Sequence, residues 1–194
     1  MRVKEGNKET AILEAAIEVF AENGFHNSKM SRIAEVAGVA SGSIYLYYKS
    51  KEDILEKIFR DIWIKLFGEV ETLHQRDDMD VKEKIDHIVD VYFDMFIGKP
   101  LLAKVFVSEI SNISRILPVD DTYYQRFLEL GEEIIQSGIN KNIINPNLNI
   151  KVFRYFLLGG IRNLLLYWAN NYEEMSISTI RQNIKFIMKR GVLL

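Results

Sequence analysis

"VASGSIYLYYKSKEDIL", residues 39–55, holds three tyrosines within four positions, Tyr45, Tyr47 and Tyr48, with Lys49 and Lys51 just behind them. On a wheel of about 100° per residue, Ile44 and Tyr48 share one face, which must turn inward. Opposite them stand Gly42 and Leu46, flanked by Ser43 and Tyr45, with Ser41 and Tyr47 at the borders. Small residues around one leucine make a poor water-facing surface but a good one for entering a groove. Gly42 allows close approach, Ser41 and Ser43 offer hydroxyls to phosphate or base edges, and Leu46 can meet a thymine methyl. Tyr45, Tyr47, Lys49 and Lys51 can grip phosphates on either side. Lys51 falls in the first turn of the next helix, where free backbone N–H groups also favour an anion.

Upstream, a helix is expected from about Lys8 to Asn23, with Ile12, Ala16, Val19 and Phe20 on one face and Gly24 as its left-handed cap. A short second helix follows, with Ser28 as N-cap, Ile33, Ala34 and Ala37 inward and Gly38 closing it. Val39 and Ala40 make a tight turn into the third helix, Ser41 to near Tyr48. Ser50 caps a long fourth helix, with Asp53 at the capping-box position and Ile54, Leu55, Ile58, Phe59 and Ile62 on its apolar face. Between His26 and Lys51 stand Lys29, Arg32, Lys49 and Lys51 against Glu35 alone, four minus one, a local +3 in a chain of net charge −2. Helix, tight turn, helix and basic exit in this order predict a helix-turn-helix, with Ser28 and Lys29 added to the DNA-facing candidates.

The string "AILEAAIEVFAENGFHNSKMSRIAEVAGVASGSIYLYYKSKEDIL" resembles the DNA-binding segment of the TetR family of bacterial transcriptional regulators. The resemblance rests on Ala16, Phe20, Gly24-Phe25, Ile33-Ala34, Ala37-Gly38-Val39, Gly42, Tyr45, Tyr47, Tyr48 and Ser50-Lys51-Glu52. It implies that the third helix is the recognition helix, that Tyr45, Tyr47 and Lys51 contact phosphate, and that the protein is a dimeric repressor. Position 48 is usually Phe in the family, so the Tyr48 hydroxyl requires a partner or a wet edge. Within the family, "AENGFHNSKMSRIA", "IYLYYKSKEDIL" and "IIQSGINKNIINPNLNIKVFRYFLLGGI" are similar to the FadR branch. That likeness implies a repressor of fatty-acid degradation genes that leaves DNA on binding long-chain acyl-CoA.

The remainder of the chain repeats its apolar residues at three and four, without sustained alternation, and its 3 prolines fall where that pattern lapses. The expected fold is all-α, with about nine helices. The resemblance implies a DNA-binding domain over residues 1–52 and a helical ligand-binding and dimerisation domain over residues 53–194. Near Leu148–Asn171, Phe153, Leu157, Ile161, Leu164 and Trp168 belong to a helix apolar nearly all round, which should be covered on all sides. Ile177, Ile180, Ile184 and Ile187 then form a narrow seam. Packing within one chain or pairing of two chains could use these surfaces; they are assigned to a homodimer interface. Bulky aromatics on facing helices, Phe93, Phe96, Phe106, Tyr124, Phe127 and Phe156, with Asn163 as a polar contact, are the expected lining of an effector pocket. Lys99, Lys104 and Arg115 would be its basic mouth.

Catalysis finds no support. There are no cysteines, the histidines His26, His74 and His87 lack metal-site spacing, and no glycine-rich phosphate loop occurs. Asp77-Asp78 and Asp120-Asp121 are expected in loops that cap the following helices. No cofactor or metal is expected. The N-terminus has no signal-peptide pattern, and Tyr155–Ala169 is broken by Arg162 and Asn163, too polar to span a bilayer. A cytoplasmic location is expected. The rival reading from another class is a helical protein-interaction module that does not bind DNA, and its salt dependence would be flat.

Overall fold

The computed structural model describes residues 5–116 and 122–191. Among the described residues nine helices follow one another: α1 (Glu5–Asn23), α2 (Met30–Val36), α3 (Ser41–Ile44), α4 (Lys51–His74), α5 (Val81–Asp94), α6 (Pro100–Ile116), α7 (Thr122–Asn140), α8 (Ile150–Asn170) and α9 (Ile177–Gly191). The expected all-helical class is what the chain adopts. Asp120-Asp121 lies outside the described residues, and Asp80 rather than Asp77 or Asp78 caps α5, in a full capping box with Glu83.

The chain forms two compact units. The first comprises the described residues up to Asp61 and α6 from Leu101 onward; the second comprises Ile62–Pro100 and α7 to α9. The expected division after residue 52 falls within α4, whose residues up to Asp61 belong to the first unit.

In the first unit α1 packs on α2, and α2 on α3. The inward faces read from the sequence, Ile12, Ala16, Val19 and Phe20, then Ile33, Ala34 and Ala37, are all buried. Phe25 closes against Phe20 edge to face, with ring centres 5.3 Å apart. Gly24 (φ 73°) and Gly38 (φ 66°) turn the chain in the left-handed region, where a side chain would be strained. The Ser50 hydroxyl accepts from the Asp53 N–H at 3.2 Å, and the Asp53 carboxylate accepts from the Lys49 N–H at 3.0 Å. The capping pair of α4 therefore reaches one residue further back than a regular box. Phe59 of α4 stacks on Phe106 of α6 at 5.2 Å.

In the second unit α5 contacts α7 and α9, α7 contacts α8, and α8 contacts α9, which closes a ring of four helices. Three acidic residues of α5 one turn apart meet three basic residues of α9. Lys189 pairs with Asp86 at 2.7 Å, Lys185 with Asp90 at 2.6 Å and Arg181 with Asp94 at 2.7 Å, which sets the register of α9. Gly138 does not end α7, as the sequence suggested; the left-handed residue is Asn142 (φ 56°). Gly138 instead lets the following loop close in. A Cβ there would lie 2.5 Å from Ile144 Cδ1 and 2.9 Å from Val81 Cγ1, and both of those side chains are buried. An alanine in a helix normally gains about 1 kcal/mol over glycine, but overpacking costs about 1–3 kcal/mol. Gly138→Ala is thus expected to lower the melting temperature. An unchanged or higher melting temperature would mean that the Ile144 loop yields freely.

Candidate functional site

The third helix is shorter than the periodicity suggested, because Ser, Gly and Tyr are weak helix formers. It ends at Ile44, and hydrogen-bonded turns carry the chain on: the Tyr47 and Tyr48 N–H groups both donate to the Ile44 carbonyl, at 3.1 and 3.0 Å. The helical path therefore survives to Tyr48, and so does the wheel. Ile44 is fully buried and Tyr48 nearly so. The Tyr48 hydroxyl donates to Glu9 Oε1 of α1 at 3.0 Å. Burial, then that bond, holds the phenol well above its usual pKa, so it stays protonated. The departure from the usual phenylalanine thus supplies its own partner.

On the other side Leu46 is 84 % exposed and Tyr45 56 %. Ser41 and Gly42 are exposed, while Ser43 and Tyr47 are half-buried. Lys29 and Lys49 are exposed as well. An 84 % exposed leucine beside a glycine and serines is the feature a groove-entering surface requires.

Two candidates stand elsewhere. Ser28 does not cap α2, whose N-cap position is Lys29. The Ser28 hydroxyl is buried and donates to the Gly24 carbonyl at 2.8 Å, at the end of α1. A group bonded inward cannot reach a phosphate, so Ser28 is an anchor of the α1–α2 turn. Lys51 is also engaged. Its ammonium donates to the carbonyls of Phe25 (2.8 Å), His26 (2.7 Å) and Ser28 (3.3 Å) and sits 4.7 Å from the centre of the Phe25 ring. Arg32 pairs with Glu35 at 3.0 Å. The accessible positive charge at this site comes chiefly from Lys29 and Lys49.

The second unit holds a half-open cavity of about 110 Å³. Its wall takes Ile85, Val89 and Tyr92 from α5, Phe127, Ile134 and Ile135 from α7, Phe153, Leu157 and Ile161 from α8 and Met188 from α9. Burial pushes the Tyr92 phenol far above its ordinary pKa, so no charge arises there. Glu132 and Arg154 are the charged residues of the wall, paired at 2.6 Å.

Of the expected pocket residues, Phe127 lines this cavity. Phe93 and Phe96 are fully buried in the core, and Phe106 belongs to the first unit beside Phe59. Tyr124 packs on Trp63 at 4.6 Å. Phe156 is 74 % exposed, and Asn163 is exposed too. Aromatic residues were a poor guide because they fill helix crossings generally; the cavity is lined mainly by aliphatic side chains and by Tyr92, one position from Phe93. Of the basic mouth, Lys99 and Lys104 are not in its wall, and Arg115 lies outside the residues whose side chains are described. Arg154, the cation that is there, could have been found as a charge inside an apolar helix.

The surfaces assigned to pairing also divide. Phe153, Leu157 and Ile161 face the cavity, and Trp168, Ile177, Ile180 and Ile184 are buried within the chain. Ile177, Ile180 and Ile184 form the seam by which α9 meets its own neighbours, with Met188 continuing it. Leu164 and Ile187 remain exposed. They belong to a different stripe: Val152, Tyr155, Phe156, Leu164 and Tyr167 on α8, with Phe186 and Ile187 on α9, all exposed. Helix α8 is apolar on both sides because one side faces the cavity and the other is left uncovered.

A helix-turn-helix with an exposed reading face, followed by a helical unit that holds an apolar cavity, is the arrangement of a DNA-binding transcriptional regulator. Residues 12–58 match the family model for bacterial regulatory proteins of the tetR family. The chain is 30 % identical over 185 residues to the fatty acid metabolism regulator protein of Bacillus subtilis, covering 93 % of each. It belongs to the tetR family. Among solved structures it is similar to the fatty acid degradation regulator FadR from Bacillus halodurans (TM-score 0.78, 25 % identity, 96 % of each chain). It is also similar to FadR from Bacillus subtilis in complex with stearoyl-CoA (TM-score 0.77, 28 % identity, 93 % of this chain and 97 % of that one). Among the described residues no helix is long and apolar enough to cross a membrane.

Proposed function

We propose that this regulator is a homodimeric repressor of fatty-acid metabolism genes, released from its operator by a long-chain acyl effector, an acyl-CoA above all. The observation that carries the reading is the almost wholly apolar cavity in the second unit, together with the likeness to a regulator solved with stearoyl-CoA. The exposed stripe of α8 and α9 is the proposed pairing face. Seven large apolar side chains in open water are costly to leave uncovered, and Gly159 and Gly160, exposed on α8, allow a partner helix to come close. Two recognition helices in such a dimer would enter successive major grooves about 34–36 Å apart on a pseudo-palindrome.

The effector acts, on this reading, by favouring a widened cavity. Ligand pockets usually measure about 300–1,000 Å³, so a long acyl chain must bind a conformer in which the cavity has widened. Preference for that conformer shifts the population, and moving it from 1:99 to 99:1 takes about 5.5 kcal/mol of differential affinity.

The test is operator binding, with the operator first isolated by selection from random duplexes. Stearoyl-CoA is expected to release the protein, and a soluble short-chain acyl-CoA is not. Release by neither, or by both equally, would refute the effector assignment. The reading face has its own check. Leu46→Ala is expected to change the preferred base at one position by about 1–3 kcal/mol while leaving the salt dependence unaltered. An unchanged sequence preference would remove Leu46 from the interface.

A further inference from the structure

Helix α7 gives the cavity one continuous stripe. Phe127, Leu128, Ile134 and Ile135 all line it, and Gly131 stands between them, three or four residues from each. Residues at those spacings share a helix face, so a side chain at position 131 would point where its four neighbours point. Among the described residues of the wall Gly131 alone has no side chain. From Phe127 to Ile135 the stripe runs about 12 Å along α7, and Gly131 is its midpoint.

Neither the backbone nor the packing of the chain accounts for a glycine there. Gly131 lies inside α7 and outside the left-handed region, and glycine is the poorest helix former after proline. A Cβ built on it would come within 4 Å of no atom beyond its own turn of helix. Gly138, two turns further along the same face, is the contrast: a Cβ there would lie 2.5 Å from Ile144 Cδ1. The chain itself uses the place beside Gly138 and leaves the place beside Gly131 to the cavity. Bare backbone thus separates two pairs of bulky side chains at the middle of the wall.

We propose that Gly131 is a specificity-determining residue of the effector site, which sets how long an acyl chain the cavity admits. This rests on the reading of the cavity as an acyl-effector site. A chain extended along α7 has to pass the midpoint of the stripe, and a residue without a side chain lets it pass. A chain that ends before position 131 is indifferent to what stands there, whereas every methylene beyond it depends on the bare backbone.

The experiment measures the affinity of the delipidated full-length protein for octanoyl-, lauroyl-, palmitoyl- and stearoyl-CoA, with the melting temperature, for wild type, Gly131→Ala and Gly131→Leu. Wild type is expected to bind the longer chains more tightly. Gly131→Leu should weaken stearoyl-CoA by about tenfold or more, the worth of about two buried methylenes, and leave the shortest chain that binds almost unchanged. Gly131→Ala should act in the same direction to a smaller degree. With nothing to collide with, it should also melt about 2–4 °C higher, as helix propensity requires. A preference shifted toward shorter chains in either variant supports the proposal. Equal losses at every length, or no loss at stearoyl-CoA, would overturn it while leaving the acyl-effector reading intact. A lower melting temperature for Gly131→Ala would also overturn it, because the chain itself would then claim the space. No binding of any acyl-CoA to wild type would overturn both readings. Should Gly131→Leu fail to melt cooperatively, the Gly131→Ala series decides, since a lost fold weakens every chain alike.

Discussion

Replacing Ile180 and Ile184 together by glutamate is expected to unfold the second unit rather than to release folded monomers. The two side chains are 3 % and 5 % exposed, on the side of α9 that its own chain covers. Removing a buried isoleucine costs about 2–5 kcal/mol, so the pair costs about 4–10 kcal/mol before charge is considered. Each carboxylate would then be buried without a partner, at several kcal/mol more. A native domain has only about 5–15 kcal/mol to lose. Phe156→Glu is the contrasting variant. At 74 % exposure within its own chain it should keep a cooperative unfolding transition, its melting temperature lowered only by what pairing contributes. If the α8 stripe is the pairing face, it should also sediment as a monomer. Circular dichroism melts and sedimentation velocity on both proteins decide the matter. A cooperative, folded Ile180/Ile184 double variant would show that the α9 seam is not core.

Lys51→Ala is expected to act on stability first and on DNA second. The ammonium satisfies three carbonyls in the turn after α1 and lies over Phe25, which packs on Phe20. A hydrogen bond to a charged group contributes about 1.5–3 kcal/mol, and the contact with the ring about 0.5–1 kcal/mol. Because the carbonyls are partly hydrated once the lysine is gone, we expect a loss of about 2–4 kcal/mol in the first unit. DNA affinity should fall because the turn that holds α2 has lost its anchor. The slope of log K against log salt should stay near the wild-type value, about −7 for roughly eight phosphate contacts per dimer. A lysine bound to phosphate gives the opposite pattern: an unchanged melting temperature and a slope flatter by about 2 per dimer. That pattern would return Lys51 to the interface.

Lys51 and the α9 isoleucines illustrate what a single sequence conveys. A local rule makes a lysine at a helix start, such as Lys51, a phosphate ligand. What it could not include was the position of the α1–α2 turn, 23 to 26 residues earlier in the chain, whose carbonyls come within reach only when the unit has folded. The isoleucine spacing was likewise correct as a seam. Periodicity shows that a helix has an apolar face and says nothing about which neighbour covers it, whether its own chain or another copy. The pocket was least legible, because a cavity is defined by what several helices leave unfilled, and no residue type signals that.

The sequence by itself determined the all-helical class, the helix-turn-helix, the inward pair Ile44 and Tyr48 and the outward Leu46. Each of these follows from contacts within one helix or between neighbours in the chain, where spacing and capping act directly. Tertiary structure alone decided that the Ser28 hydroxyl and the Lys51 ammonium bond to carbonyls at the end of α1 and in the turn after it, that Gly138 makes room for Ile144, that α9 spends its isoleucines inward, and that Arg154 meets Glu132 at the rim of the cavity. Those outcomes depend on groups far apart in sequence arriving at one place, and only the packed chain sets their distances.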